Sequence, residues 1–231
     1  MESQHIIITG AGGNLGRALM DELIRREARI SAIVSPSTDP GSMPSGNVKT
    51  YRADLLDEEK GLAIVTGITD GSGPVNGGVL TAGGFSAGTL SDTGLKDIHR
   101  MIDLNFTTAY NIARPLFRHM RSAGRGGKII FIGARPVLQP VQAKDMVAYT
   151  FSKSLLLRLS EIINAQSDGT GIYSYVIVPG IIDTPRNRKS MPDADFSKWI
   201  SAAEISRKIG SILSEPGSEP EDKIIPMYRG S

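Results

Sequence analysis

The 231-residue sequence contains no cysteine, which excludes disulfides, thiolate nucleophiles and thiolate metal ligands. Histidine is nearly as scarce. His5, His99 and His119 lie far apart without a metal-binding spacing, so each is expected to be a surface or helix residue and no metal is expected. No apolar run approaches the roughly 20 residues needed to cross a bilayer. The N-terminal residues lack the basic and apolar zones of a secretory leader, so a cytoplasmic location is the expectation. Charge of one sign is also missing. The 26 basic and 24 acidic residues are scattered and leave a net +2, with no basic stripe to suggest nucleic acid or an anionic membrane as a partner. There is no internal repeat, low-complexity tract or domain boundary. A hydrophobic content of 40% with 22% charged residues fits one globular domain spanning 1–231.

What is present alternates between two periods. His5-Ile6-Ile7-Ile8-Thr9 is an uninterrupted β-branched run, the pattern of a strand buried on both faces. It leads into Gly10-Ala11-Gly12-Gly13-Asn14-Leu15-Gly16 and then a helical pattern over 17–26. Strand, glycine-rich turn and helix together form a dinucleotide-binding context: the turn lets backbone approach a pyrophosphate at the helix N-terminus. Gly10, Gly13, Asn14, Leu15 and Gly16 are the candidate contacts.

A second strand over 29–34 ends at Ser35-Pro36-Ser37-Thr38, where an acidic residue would bind a ribose 2′-hydroxyl and repel a 2′-phosphate. The first acid, Asp39, comes later, and the hydroxyls of Ser35, Ser37 and Thr38, with Arg17 and Arg52 nearby, tilt the expectation from NAD toward NADP. A third strand over 48–53 closes on Asp54 and Leu55, placed to meet an adenine amino group, and a helix is expected over 57–68. After a flexible patch at 70–74, a fourth strand from Gly78 ends in Thr81-Ala82-Gly83-Gly84, where backbone again comes close to a cofactor.

Residues 95–120 read as one long helix with Asn105 among apolar neighbours and a kink at Pro115; a mid-helix asparagine in that company needs a partner for its amide. The fifth strand covers 128–133. A helix over 148–165 then presents Tyr149 and Lys153 one turn apart on one face. An ammonium there favours the ionised phenol, lowering a pKa of about 10 toward the useful range of a proton donor. A sixth strand over 172–178 runs into Pro179-Gly180. The polar stretch 183–200 reads as a loop or lid, Ser201 caps a helix over 202–213, and a last strand covers 223–227. The sum is a doubly wound Rossmann-type α/β domain with a mainly parallel sheet of about seven strands.

In order and spacing, these segments resemble the short-chain dehydrogenase/reductases over nearly the whole chain. The resemblance rests on Thr9-Gly10 through Gly16, Asp54, Thr81 to Gly84, Asn105, Tyr149 with Lys153, and Pro179-Gly180 with Thr184. It implies that Tyr149 is the general acid/base and that Lys153 binds the nicotinamide ribose and lowers the phenol's pKa. It also implies that Asn105 helps hold a water leading from the lysine, while Pro179, Gly180, Ile182 and Thr184 line the nicotinamide. Partners would be a small-molecule substrate and further copies of the chain, as a homodimer or homotetramer. The spacing of Gly10, Gly13 and Gly16 is that of the family's extended branch, but the large C-terminal region of that branch is not expected here.

One departure matters more. The family's catalytic serine is replaced by Ala134, and no serine or threonine occurs from Ala123 through Ala148. The stretch from Asp183 to Trp199, together with Gly133-Ala134, looks like the corresponding parts of dihydropteridine reductases, which also lack that serine. The resemblance therefore implies hydride transfer from NADP or NAD to a small electron-poor acceptor such as a quinonoid dihydropterin. The alternatives are a carbonyl reductase borrowing a lid hydroxyl such as Ser190, and an inactive dinucleotide-binding sensor. Phe196 and Trp199 are expected to anchor the lid by packing, and Arg186, Arg188 and Lys189 to form a solvated face.

Overall fold

The computed structural model describes residues 4–215 and 222–229. Its centre is a seven-stranded parallel sheet of β1 (His5–Thr9), β2 (Arg29–Val34), β3 (Val48–Arg52), β4 (Gly77–Leu80), β5 (Gly127–Ile132), β6 (Ile172–Pro179) and β9 (Ile224–Met227), in the order β3-β2-β1-β4-β5-β6-β9. The chain starts in the middle, winds outward to β3, returns beside β1 as β4 and winds out the other way. The crevice between β1 and β4 is the switch point at which such sheets bind ligands.

The β1 run explains why the sheet is buried on both sides. Ile6 and Ile8 pack on one face with Leu19, Met20, Ile205 and Ile209, and Ile7 packs on the other with Val65, Leu116 and Phe131. The first face is covered by α1 (Asn14–Arg25) and α8 (Ala202–Ser214). The second is covered by α2 (Glu58–Ser72), α4 (Thr108–Ala123) and α6 (Val147–Gln166). Ser201 caps α8 as expected, with Glu204 reaching back to complete a capping box. The other end of α8 meets Lys128, whose buried ammonium donates to the carbonyls of Ile212 (2.5 Å) and Glu215 (2.7 Å). His5 corrects the expectation of a surface or helix residue: it lies fully buried in β1, with Nε2 2.9 Å from Ser31 Oγ.

Three further segments differ from the sequence reading. The residues expected as a flexible patch extend α2 through Ser72, because Asp57 caps its start and Val65 and Ile68 anchor its apolar side. The long helix is interrupted: α3 (Leu95–Ile102) passes through a π-helical turn (Asp103–Thr107) into α4. Pro115 remains inside α4 and leaves the carbonyl of Asn111 without its helical donor. That carbonyl faces Gly61 of α2 so closely that a Cβ there would lie 2.8 Å from it. Finally, the expected loop 183–200 contains β7 (Ile182–Asp183) and α7 (Pro185–Ser190), and a 3-10 turn at Phe196–Lys198 leads to β8 (Ile200–Ser201), which pairs with β7 in parallel.

Two glycines of α2 should therefore respond oppositely to alanine. Gly67 has nothing within 4 Å of a new Cβ, so Gly67→Ala should stabilise by about 0.5–1 kcal/mol through helix propensity. Gly61→Ala should destabilise by about 1–3 kcal/mol, because the obstacle is backbone that cannot step aside. Urea unfolding of the two variants checks this; equal effects would mean that α2 and α4 are not in that close contact.

Candidate active site

The carboxyl ends of β1 and β4 are tied together by threonines. Thr81 Oγ1 donates to the Thr9 carbonyl (2.7 Å), and the Ala82 amide donates to Thr9 Oγ1 (3.2 Å). Gly10 sits in the left-handed region with φ 63°, and a Cβ there would lie 2.7 Å from the Ala82 amide nitrogen. Only glycine allows both the turn and this approach. Beyond it, α1 begins at Asn14 with Gly13 as its N-cap, no side-chain cap and no acidic residue in the first turn. Its amides are left for an anion, so the loop fits a dinucleotide pyrophosphate. Leu15 and Gly16 lie in that first turn, and Gly16 packs against the Gly10 carbonyl, 2.5 Å from where a Cβ would stand.

The residues expected to select the cofactor follow β2. Ser35 Oγ lies 2.9 Å from Ser37 Oγ and 3.1 Å from Thr38 Oγ1, and Thr38 packs against Gly12. Asp39 folds its carboxylate back on the Gly41 amide (3.0 Å). Arg17 stays beside the loop, donating to the carbonyls of Gly12 (3.1 Å) and Ser42 (2.8 Å). Asp54 follows β3, accepting from the Leu56 amide at 3.1 Å, and the Leu55 carbonyl is held by Asn111 (2.9 Å).

At the neighbouring strand ends, α6 delivers Lys153 and Tyr149. Lys153 is buried, and its ammonium donates to the Ile132 carbonyl at the end of β5 (2.9 Å). The π turn rotates Asn105 inward, where it is fully buried. Its Oδ1 accepts from the Gly84 amide (3.0 Å), and its Nδ2 donates to the Gly84 carbonyl (3.1 Å) and to Ser152 Oγ (3.0 Å). Ser152 in turn donates to the Tyr149 carbonyl (2.7 Å). A Cβ on Gly83 would overlap Asn105 Oδ1 and come within 3.5 Å of the Lys153 ammonium. Asn105, Gly83, Gly84, Ser152, Tyr149 and Lys153 are thus one assembly. Asn105 thus clamps the Gly84 peptide through both its amide and its carbonyl and ties it to Ser152.

The electrostatics correct the sequence reading. Burial pushes the half-buried Tyr149 phenol up to about 12 and the Lys153 ammonium down to about 8. The ammonium lies 5.9 Å from the tyrosine ring centroid. Desolvation drives both shifts, so Tyr149 carries its proton throughout the neutral range. The phenyl ring of Phe85, 57% exposed, meets Tyr149 edge to face at 5.1 Å.

Pro179, Gly180, Ile182 and Thr184 stand at the ends of β6 and β7. Thr184 caps α7 by accepting from the Asn187 amide (3.1 Å). Arg188 is not simply solvated: it forms a two-pronged ion pair with Asp183 and lies over the Phe196 ring at 4.5 Å. Phe196 packs at 4.7 Å against the buried Trp199, as expected of lid anchors. Ala134 is buried and has no hydroxyl, and Ser190 donates its own to the Arg186 carbonyl (2.9 Å). Sequence reasoning missed Phe85, which nothing marked in its loop. It also missed Ser152, although its place beside Lys153 could have drawn attention. Among the described residues there is no cluster of metal-ligating side chains and no helix long and apolar enough to cross a membrane.

A doubly wound sheet with a glycine cradle at its switch point, and a tyrosine–lysine pair one strand away, defines a Rossmann-type nicotinamide oxidoreductase. The chain belongs to the short-chain dehydrogenase family, whose defining pattern matches residues 4–195. It is 27% identical over 221 residues to a dihydropteridine reductase of Dictyostelium discoideum, covering 94% of this chain and 91% of that one. It is 26% identical over 185 residues to the probable oxidoreductase EphD of Mycobacterium tuberculosis, matching 78% of this chain and 31% of that longer protein. Among solved structures, ElxO with NADP bound superposes with a TM-score of 0.85 at 20% identity, over 97% of each chain.

The buried ammonium should have a measurable cost. Lowering its pKa from 10.5 to about 8 penalises the protonated native state by roughly 3 kcal/mol at pH 7. Lys153→Met should therefore raise the unfolding free energy at pH 7 by about 1–3 kcal/mol. The native state releases this proton near pH 8 and the unfolded chain near 10.5, so wild-type stability recovers between those values. Denaturant unfolding at several pH values should show a gap that is largest below pH 8 and closes toward 10.5; a constant gap would count against the argument.

Proposed function

We propose that the chain is an NADP(H)-dependent reductase of a small, flat, electron-poor acceptor, with a quinonoid dihydropterin as the leading candidate. The observation that carries this reading is the company of Tyr149: a phenol that keeps its proton at neutral pH, an exposed aromatic ring at its edge, and no serine hydroxyl at position 134. A conjugated ring system accepts electrons without the serine of an ordinary carbonyl reductase and can lie against Phe85. The dihydropteridine reductase relative supports the same substrate class.

In this reading Gly10, Gly13, Asn14, Leu15 and Gly16 hold the pyrophosphate. Asp54 and Leu55 face the adenine, and Ala82, Gly83 and Gly84 give the cofactor a side-chain-free wall. Pro179, Gly180, Ile182 and Thr184 border the nicotinamide, and 183–200 covers the substrate. Bound there, the dinucleotide supplies the hydride. Tyr149 donates its phenolic proton to the acceptor atom that gains electron density, and the phenolate left behind is stabilised by the Lys153 ammonium before solvent returns the proton. Asn105 and Ser152 keep the Gly84 peptide and the Tyr149 backbone in register. Holding both reactants in one geometry supplies much of the acceleration.

The NADP preference rests on the hydroxyls of Ser35, Ser37 and Thr38, on Arg17 beside the glycine loop, and on Asp39 turning its charge into its own turn. NADPH should bind at least about tenfold more tightly than NADH, a difference of about 1.4 kcal/mol. Tyr149→Phe should reduce turnover of quinonoid dihydropterin by about 100-fold or more and leave the NADPH affinity within about threefold. Binding titrations and steady-state rates over pterins, quinones and small ketones check both. Tight cofactor binding without any turnover would favour a sensor, and turnover confined to ketones a carbonyl reductase.

Tyr110 on α4 and Phe151, Leu155 and Ile162 on α6 expose an apolar face, which we assign to a second copy of the chain. Light scattering that finds only monomer would remove that assignment. A cytoplasmic location fits the cysteine-free composition and is checked by cell fractionation.

A further inference from the structure

Ala134 leaves open which group holds the substrate's oxygen. Immediately after it, α5 (Arg135–Leu138) begins, and its first residue reaches across the carboxyl ends of β6 and β9. The Arg135 guanidinium lies 4.7 Å over the ring of Tyr228, the residue that follows β9. Arg135 Nε donates to Gln139 Oε1 (2.7 Å), and Gln139 Nε2 donates to the Tyr228 hydroxyl oxygen (3.3 Å). Gly180 closes the group from below: a Cβ there would lie 2.9 Å from Tyr228 Cβ, and its amide donates to the Met227 carbonyl (3.0 Å). Three chain segments far apart in sequence, around 135–139, 180 and 227–228, thus converge on one phenol at the carboxyl end of β9, beside the Gly180 that the proposed function sets against the nicotinamide.

Gln139 carries an amide whose oxygen is fixed by Arg135, so the –NH2 end is forced toward Tyr228. Tyr228 accepts there, and among the described residues its own O–H and the second amide hydrogen of Gln139 meet no acceptor. Burial of Tyr228 at an intermediate level makes this hydroxyl neither a solvated tip nor a core group. Two donors side by side, one of them fixed by an arginine, are the chemistry that recognises a carbonyl or enolate oxygen.

We propose that Tyr228, oriented by Gln139 and Arg135, replaces the missing serine as the hydrogen-bond donor to the substrate's oxygen, so that acceptors carrying a ring carbonyl are selected. Tyr228 touches the substrate, while Gln139 and Arg135 are positioning residues. This rests on the reductase reading above. A wild-type protein that turns over no quinonoid or carbonyl acceptor would sink that reading, whereas the present inference is judged only against an acceptor that wild type reduces.

The test is Tyr228→Phe, which keeps the ring under Arg135, alone and combined with Ala134→Ser. Tyr228→Phe should lower kcat/KM for a quinonoid dihydropterin or an ortho-quinone by about 10- to 100-fold. NADPH affinity and the unfolding midpoint should remain those of wild type. Adding Ala134→Ser should recover most of the loss by restoring a donor at the usual position, which no packing role of Tyr228 would predict. Wild-type kinetics in Tyr228→Phe would overturn the proposal, as would a loss that Ala134→Ser leaves uncorrected or that is matched by lost NADPH affinity.

Discussion

The buried ammonium of Lys153 is the constraint around which the carboxyl edge of the sheet is arranged. A cation out of water needs oxygen partners, and this one has the Ile132 carbonyl at the end of β5. Its neighbour on the β4 side is Gly83, where a side chain would strike both Asn105 and the space beside the ammonium. Asn105 then fixes the Gly84 peptide from both sides and reaches Ser152 on the helix that carries the lysine. The same burial that weakens the ammonium keeps the adjacent phenol protonated. Stability is given up at one place so that a charge and a proton stand side by side.

Helix irregularity serves the same end. A regular helix through 95–123 could not present Asn105 to Gly84 while keeping Ile112 and Leu116 in the core, and the π turn provides the extra residue that does both. The carbonyl released by Pro115 in the next stretch is accommodated by Gly61, which lets α2 approach α4 closely. The segment 183–200 is built on similar terms. Its polar sequence suggests a loop, but Asp183, Arg188, Phe196 and Trp199 interlock while β7 and β8 pair, so the segment has a structure of its own.

The absence of a serine at position 134 acquires a meaning only in this setting. Ser152 is bonded within the assembly and Ser190 within α7, so neither stands in for it. What lies beside the vacant position is a cation stacked on a phenol. The carboxyl ends of the strands thus carry an aromatic ring beside Tyr149 and, further along the sheet, a tethered tyrosine.

The sequence by itself determined the strands of the main sheet, the glycine turn, the cap at Ser201 and the tyrosine–lysine pair, because each is written in a local period or spacing of a few residues. β1 and β2 could be delimited in advance because runs buried on both faces have sharp polar borders. Tertiary structure alone decided the partners of Asn105, the direction of the Tyr149 and Lys153 pKa shifts, the burial of His5 and the meeting of Gln139 with Tyr228. Gln139 and Tyr228 are 89 positions apart, and strand order rather than sequence distance brings them together. Desolvation, too, is a property of everything packed around a group, and no spacing of residues along a chain encodes it.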